Sequence, residues 1–210
     1  GIALSFARGG LNVRLVDSEE SILDQALNQI DSDLRLLCSF GLIASDVSEI
    51  KSRIKPFLDL SDAARGCDIV VEAVPELLHL KKRIFADLET WCREDTILCT
   101  NTSSLGISSI IDGLRTPVRV IGTHWFNPAH IIPLVEIVPG PHTSEEVILK
   151  TRELMLAIGK QPIHIKRDIP GFLVNRIQAA MKREIDYLLE QGIASVEDID
   201  LAVKMSFGIR

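Results

Sequence analysis

His124 and Glu136 are the residues of this chain whose types and spacing most directly allow chemistry. They lie in the stretch Gly122 to Glu136, GTHWFNPAHIIPLVE. An apolar run, Val118 to Ile121, precedes it with the make-up of a buried parallel strand. That predicts His124 just past the strand's carboxyl end, where open α/β sheets bind ligands. Asn127-Pro128 predicts a turn, and Pro133 to Val138 a second β segment that returns Glu136 toward His124. A carboxylate beside an imidazole fixes the ring tautomer and stabilises the imidazolium, which is what a histidine needs to act as a general base. The same residues also suit an ordinary strand, turn and strand whose histidine serves only the turn backbone.

Other polar residues fall at the same predicted edge. Asn101 to Ser104, NTSS, follow a strand at Thr96 to Thr100, and their amide and hydroxyls suit either a nicotinamide or substrate oxygen or a helix amino terminus. Glu72, Pro75 and Glu76 end another strand and lead to Lys81 and Lys82. Asp17 closes a strand near the amino end of the chain. An acid there suits the adenosine ribose diol of NAD and repels the 2′-phosphate of NADP, although a strand can also end in Asp to cap the next helix.

The elements that must position these residues alternate. Strands are predicted at Leu11 to Val16, Ile54 to Leu58, Asp68 to Ala73, Thr96 to Thr100 and Val118 to Ile121. Helices are predicted at Glu19 to Phe40, Ser61, Leu80 to Cys92 and Ser108 to Leu114. Several strands are apolar throughout, which predicts an α/β fold: a Rossmann-like doubly wound parallel sheet covered on both faces. A helix, Thr143 to Ile158, and a last strand, Gln161 to Ile165, complete it. The opening GIALSFARGG reads as a helix in progress, so a first strand and a GxGxxG turn are expected before it, and the chain is expected to be part of a longer protein. Asp168-Ile169-Pro170-Gly171 breaks the composition. The NAD-binding domain is therefore assigned to 1–168 and the start of a helical domain to 169–210, with helices at Phe172 to Gln191 and Ser195 to Val203. Phe172, Ile177, Ala180 and Leu188 form an apolar stripe suited to a core or a subunit contact.

Composition narrows the class. The 210 residues are 46% hydrophobic and 25% charged with a net charge of −6, the make-up of a globular protein without the clustered Lys and Arg that nucleic acid requires. No apolar run approaches the roughly 18 residues of a membrane span and no secretory leader is visible, so a cytoplasmic or organelle-matrix location is expected. Cys38, Cys67, Cys92 and Cys99 lack metal or disulfide spacing and read as reduced structural thiols; no metal site is expected.

In this order and spacing, NTSS, HWFNP, LVEIV and DIPGFLVNR resemble the L-3-hydroxyacyl-CoA dehydrogenase family over essentially the whole chain. The resemblance implies an amino-terminal NAD-binding domain, a helical carboxyl-terminal domain that forms a homodimer, and a site in the cleft between them. It also implies His124 as base, Glu136 as its partner, Ser103 in contact with nicotinamide and substrate, and Asn175 reaching the site from the first helix of the second domain. Asp17, Glu76, Lys81 and Asn101 are the expected NAD contacts beside Ser103.

One departure bears on substrate. Members acting on CoA thioesters resemble one another in carrying lysines along the helix after the second strand. Here Arg35 is the one basic residue between Glu19 and Ile50, against Glu19, Glu20, Asp24, Asp31, Asp33, Asp46 and Glu49. VPELLHLKKRIF, THWFNP and the closing FGIR are similar to the branch containing L-gulonate 3-dehydrogenase and lambda-crystallin, which handles free 3-hydroxy acids. A 3-hydroxyacyl-CoA and a free 3-hydroxy acid both stay open as substrate, as does a crystallin-like structural role.

Overall fold

Helices and short strands alternate through the amino-terminal unit. The computed structural model describes residues 1–43, 46–206 and 208 and divides the chain into Gly1–Pro170 and Gly171–Arg210. The closing FGIR motif lies, apart from Gly208, outside the described residues. Helix α1 (Ile2–Arg8) leads to strand β1 (Val13–Val16), and the long helix α2 (Glu20–Ser39) buries Leu23, Ile30, Leu34 and Leu37 along one side. Helix α3 (Val47–Ser52), strand β2 (Ile54–Phe57) and helix α4 (Leu60–Ala64) follow. The apolar pattern passes over α3 because the helix is short. Its signal is Asp46, whose carboxylate accepts from the Ser48 amide at the first turn. Leu4, Ala7, Ile30, Leu34, Ile50 and Ile54 join α1, α2, α3 and β2 in one cluster.

Strand β3 (Ile69–Glu72), helix α5 (Leu78–Trp91), strand β4 (Ile97–Thr100) and helix α6 (Ile107–Ile111) come next. Strands β5 (Val120–Trp125) and β6 (Leu134–Pro139), helix α7 (Glu145–Ala157) and strand β7 (Gln161–His164) complete the unit. β1 and β2 pair in parallel as one sheet, and the other runs in the order β3-β4-β5-β6-β7. The second sheet is mixed, not wholly parallel as expected: β5 and β6 are antiparallel, the other neighbours parallel. The chain between β5 and β6 is a turn, which can reverse a strand but is too short for the crossover that a parallel neighbour needs. Ile97, Cys99, Ile121, Trp125, Val135, Ile137, Val147 and Met155 form the core between this sheet and α7.

Among the described residues, no strand pairs with the second edge of β1 or of β3. A groove of 1360 Å³ lies between them, lined by Val13 to Asp17 on one side and Ile69 to Val74 on the other. Among the described residues, no helix is long and apolar enough to cross a membrane.

The second unit, by itself, holds helix α8 (Val174–Glu190) and helix α9 (Val196–Met205), separated by a turn at Gly192 with φ of 64°. Ser195 caps α9 by accepting from the Asp198 amide. Neither helix buries a residue, and Ile177 and Tyr187 on α8 and Leu201 and Met205 on α9 are exposed.

Candidate active site

Strand alternation sets the site. Along β5, Ile121 and Trp125 point into the core with α7, so Gly122 and His124 point to the opposite face; along β6, Val135 and Ile137 point into that core and Glu136 points away. His124 and Glu136 are directly paired in the antiparallel register, which places their side chains side by side. His124 therefore lies within β5, not beyond its end, because pairing with β6 carries the strand on to Trp125. Gly122, one position along the same face, lets helix α6 approach: a Cβ there would stand 2.8 Å from Cδ1 of Ile107 and 3.1 Å from Cβ of Val138.

The His124 Nδ1 lies 2.6 Å from Oε2 of Glu136, whose carboxylate is wholly buried, and His124 itself is buried. A carboxylate accepts, so Nδ1–H donates, and in the neutral ring it is Nε2 that carries the lone pair. That nitrogen is 3.2 Å from the Ser103 hydroxyl. Phe126 packs its ring against His124 at 4.7 Å with the planes 63° apart, which limits rotation of the imidazole. The arrangement can take a proton: an imidazole oriented through one nitrogen by a carboxylate, with its other nitrogen facing a hydroxyl.

Ser103 is positioned by the loop after β4. The Asn101 side-chain oxygen accepts from the Trp125 amide at 2.9 Å, tying the loop to the end of β5. Oε1 of Glu76 accepts from the Thr102 hydroxyl and from the amides of Ser103 and Ser104, at 2.5, 2.9 and 2.9 Å, and from the Ser104 hydroxyl at 3.0 Å. Burial raises the pKa of this carboxyl, but the hydrogen bonds from Thr102, Ser104 and Ser103 outweigh it and hold the group at about 2. Behind it, Lys81 is buried and donates to Glu72 Oε1 at 2.7 Å and to the Val74 carbonyl at 3.2 Å, with Glu76 Oε2 at 3.3 Å. Glu72 Oε2 accepts from the Thr100 hydroxyl at 2.7 Å. Removing one partner of such a buried pair costs about 3–5 kcal/mol.

The structure thus brings together His124, Glu136, Ser103, Asn101, Glu76 and Lys81 at one end of the sheet. Lys81 stands inside, with its ammonium engaged by protein groups, and Glu76 organises the serine loop. Asp17 stands apart at the end of β1, where it accepts from the Glu19 amide at 3.1 Å and lines the groove between the β1 and β3 edges. Asn175 belongs to the first turn of α8 in the second unit. Phe126 and Thr100 belong to the arrangement without having been expected, since a ring or hydroxyl in a supporting place carries no spacing signal of its own; Thr102 was expected only as one hydroxyl of the NTSS cluster and serves Glu76. The cysteines are unpaired; Cys38 is exposed and Cys99 is buried, with burial pushing the Cys99 thiol up to about 12. Among the described residues, no three His, Cys, Asp or Glu side chains gather to hold a metal.

The residues present suit NAD. Asp17 follows the carboxyl end of β1 and the serine loop follows that of β4, the edge at which such sheets take ligands; a carboxylate can accept from ribose hydroxyls, and the loop carries hydroxyls.

Comparison with known proteins agrees. Residues 1–169 match the model of the 3-hydroxyacyl-CoA dehydrogenase NAD binding domain, and residues 171–210 match that of the 3-hydroxyacyl-CoA dehydrogenase C-terminal domain. The human lambda-crystallin homolog is 37% identical over 99% of this chain and 66% of its own length. The 3-hydroxybutyryl-CoA dehydrogenase of Clostridioides difficile is 36% identical over 98% of this chain and 73% of its own. The crystal structure of 3-hydroxybutyryl-CoA dehydrogenase from Escherichia coli superposes with a TM-score of 0.90 and 37% identity, covering 97% of this chain and 43% of that one. The chain spans about two thirds of the length of the curated relatives it matches. With both of its units matched, the chain belongs to the 3-hydroxyacyl-CoA dehydrogenase family, NAD-dependent oxidoreductases that act on CH–OH groups.

Proposed function

We propose that the protein containing this chain oxidises the 3-hydroxyl of a small substrate to a 3-oxo group, with His124 as the general base. The observation that carries this reading is the buried imidazole held between Glu136 at 2.6 Å and the Ser103 hydroxyl at 3.2 Å. His124 takes the hydroxyl proton at Nε2, and Glu136 holds the ring in the tautomer that leaves Nε2 open to it and stabilises the imidazolium that results. Ser103 hydrogen-bonds the oxygen on which charge changes, a preorganised donor that favours the transition state, and Asn175 completes the proposed catalytic set. Bound NAD supplies the acceptor for the hydride. Asp17 holds the ribose end of the cofactor, and Ser103 and Asn101 serve its nicotinamide end. Glu76 and Lys81 act on the cofactor through the serine loop.

Two substrate classes follow from two observations. The relatives named 3-hydroxybutyryl-CoA dehydrogenase favour a CoA thioester. The acidic surface of α2 favours a free 3-hydroxy acid such as L-gulonate, since Asp31 already engages Arg35 at 2.7 Å and Lys51 at 2.5 Å, leaving little positive charge for CoA phosphates. NADH formation by the full-length natural protein, measured with a 3-hydroxyacyl-CoA and with free 3-hydroxy acids, separates them. Higher kcat/KM for the thioester supports the first class and for the free acid the second; turnover of neither contradicts the proposed activity. The exposed apolar residues of α8 and α9 support a helical second domain that forms a homodimer. A cytoplasmic location accords with the absence, among the described residues, of a membrane-spanning helix.

A further inference from the structure

Lys81 lies between two carboxylates, and the three charges do not cancel. Its ammonium is 2.7 Å from Glu72 and 3.3 Å from Glu76. Lys81 and Glu72 are each 1% exposed at the side chain, whereas Glu76 is 35% exposed. The closer, drier contact makes Glu72 the counter-ion of Lys81. The groups around Oε1 of Glu76 are hydroxyls and amides of residues 102 to 105, which spread its charge without neutralising it. The next lysine in the chain, Lys82, is paired with Asp112 at 2.7 Å. One net negative charge therefore remains on Glu76, which accepts from the amide of the same Ser103 whose hydroxyl faces His124.

With NAD as the ligand of the site, we propose that Glu72 is a positioning residue that neutralises Lys81, so that Glu76 keeps an uncompensated negative charge on the Ser103 loop and favours the oxidised, cationic nicotinamide over the neutral reduced form. A fixed charge near a ring that is cationic in one redox state and neutral in the other must change the ratio of their affinities. A purely structural support would change both affinities together.

The test is the ratio of dissociation constants for NAD+ and NADH, measured by titration of the full-length natural protein and its variants. Glu72→Gln lets Lys81 cancel Glu76 and is expected to shift the ratio against NAD+ by roughly three- to tenfold. Adding Lys81→Met to Glu72→Gln restores the single negative charge and is expected to return the ratio to within about twofold of the natural one, even if the protein melts earlier. Should Glu72→Gln not fold, Glu76→Gln removes the charge directly and is expected to shift the ratio in the same direction. A ratio unmoved by Glu72→Gln or Glu76→Gln, or not restored in the double variant, overturns the inference alone. Failure of the natural protein to bind either form overturns it together with the assignment of NAD.

Discussion

Glu76 gathers one hydroxyl of Thr102, one of Ser104 and a row of amides onto a single oxygen, and so fixes where the Ser103 hydroxyl meets His124. Its carboxyl is held at about 2 against an ordinary 4.5. A carboxylate depressed on folding contributes stability that is fully present above its unfolded pKa and is lost as the pH falls through the folded one. The Glu76 contribution is thus complete above about 4.5 and disappears toward about 2. Glu89, also held at about 2, titrates in the same window, so a comparison of variants is needed to isolate Glu76. The melting temperatures of the natural protein and Glu76→Gln should differ most above about 4.5 and converge as the pH approaches about 2. A difference that stays constant across that window would contradict this role. At this scale the sequence was informative about charged residues at strand ends, because few structural positions want them. It was silent about the support given by Thr100, since a threonine that donates at the end of a strand looks like any other.

Strand β5 determines the geometry of the site. Its apolar side faces α7, its functional side faces α6, and antiparallel pairing with β6 sets His124 opposite Glu136. Gly122 makes this possible by leaving room for Ile107 and Val138. Gly122→Ala should cost about 1–3 kcal/mol through overpacking, seen as a lowered midpoint in denaturant unfolding with an unchanged slope. It should also reduce turnover, because the crowded residue stands two places from His124 on the same strand face. No loss of stability would mean that α6 yields at no cost and that the glycine is incidental. The alternating elements were legible because apolar strands between amphipathic helices carry a strong period. The reversal at β5 and β6 was legible locally, in the turn at Asn127-Pro128 that returns Glu136 toward His124, while the wholly parallel sheet was inferred from apolar composition, which reports burial and not direction.

Across the first unit, the residues proposed for catalysis stand on β5, on β6 and just after β4, strands that are largely buried. Asp17 is the exception in place: it follows β1, apart from the His124 cluster, and its proposed partner is the ribose end of an extended cofactor. The family was legible from four short motifs that together hold Ser103, His124, Glu136 and the glycine of DIPGFLVNR, Gly171, which sits at φ of 74° where other residues are strained. The acyl group was not, because substrate choice depends on surfaces with no such constraint. The central claim is that His124 is the base. Its most direct test is NADH formation by the full-length protein carrying His124→Ala, with NAD binding measured in parallel. Loss of a general base should lower kcat by about 10²–10⁴ while the NAD dissociation constant stays within about twofold of the natural protein's. Retained turnover with lost NAD affinity would contradict it.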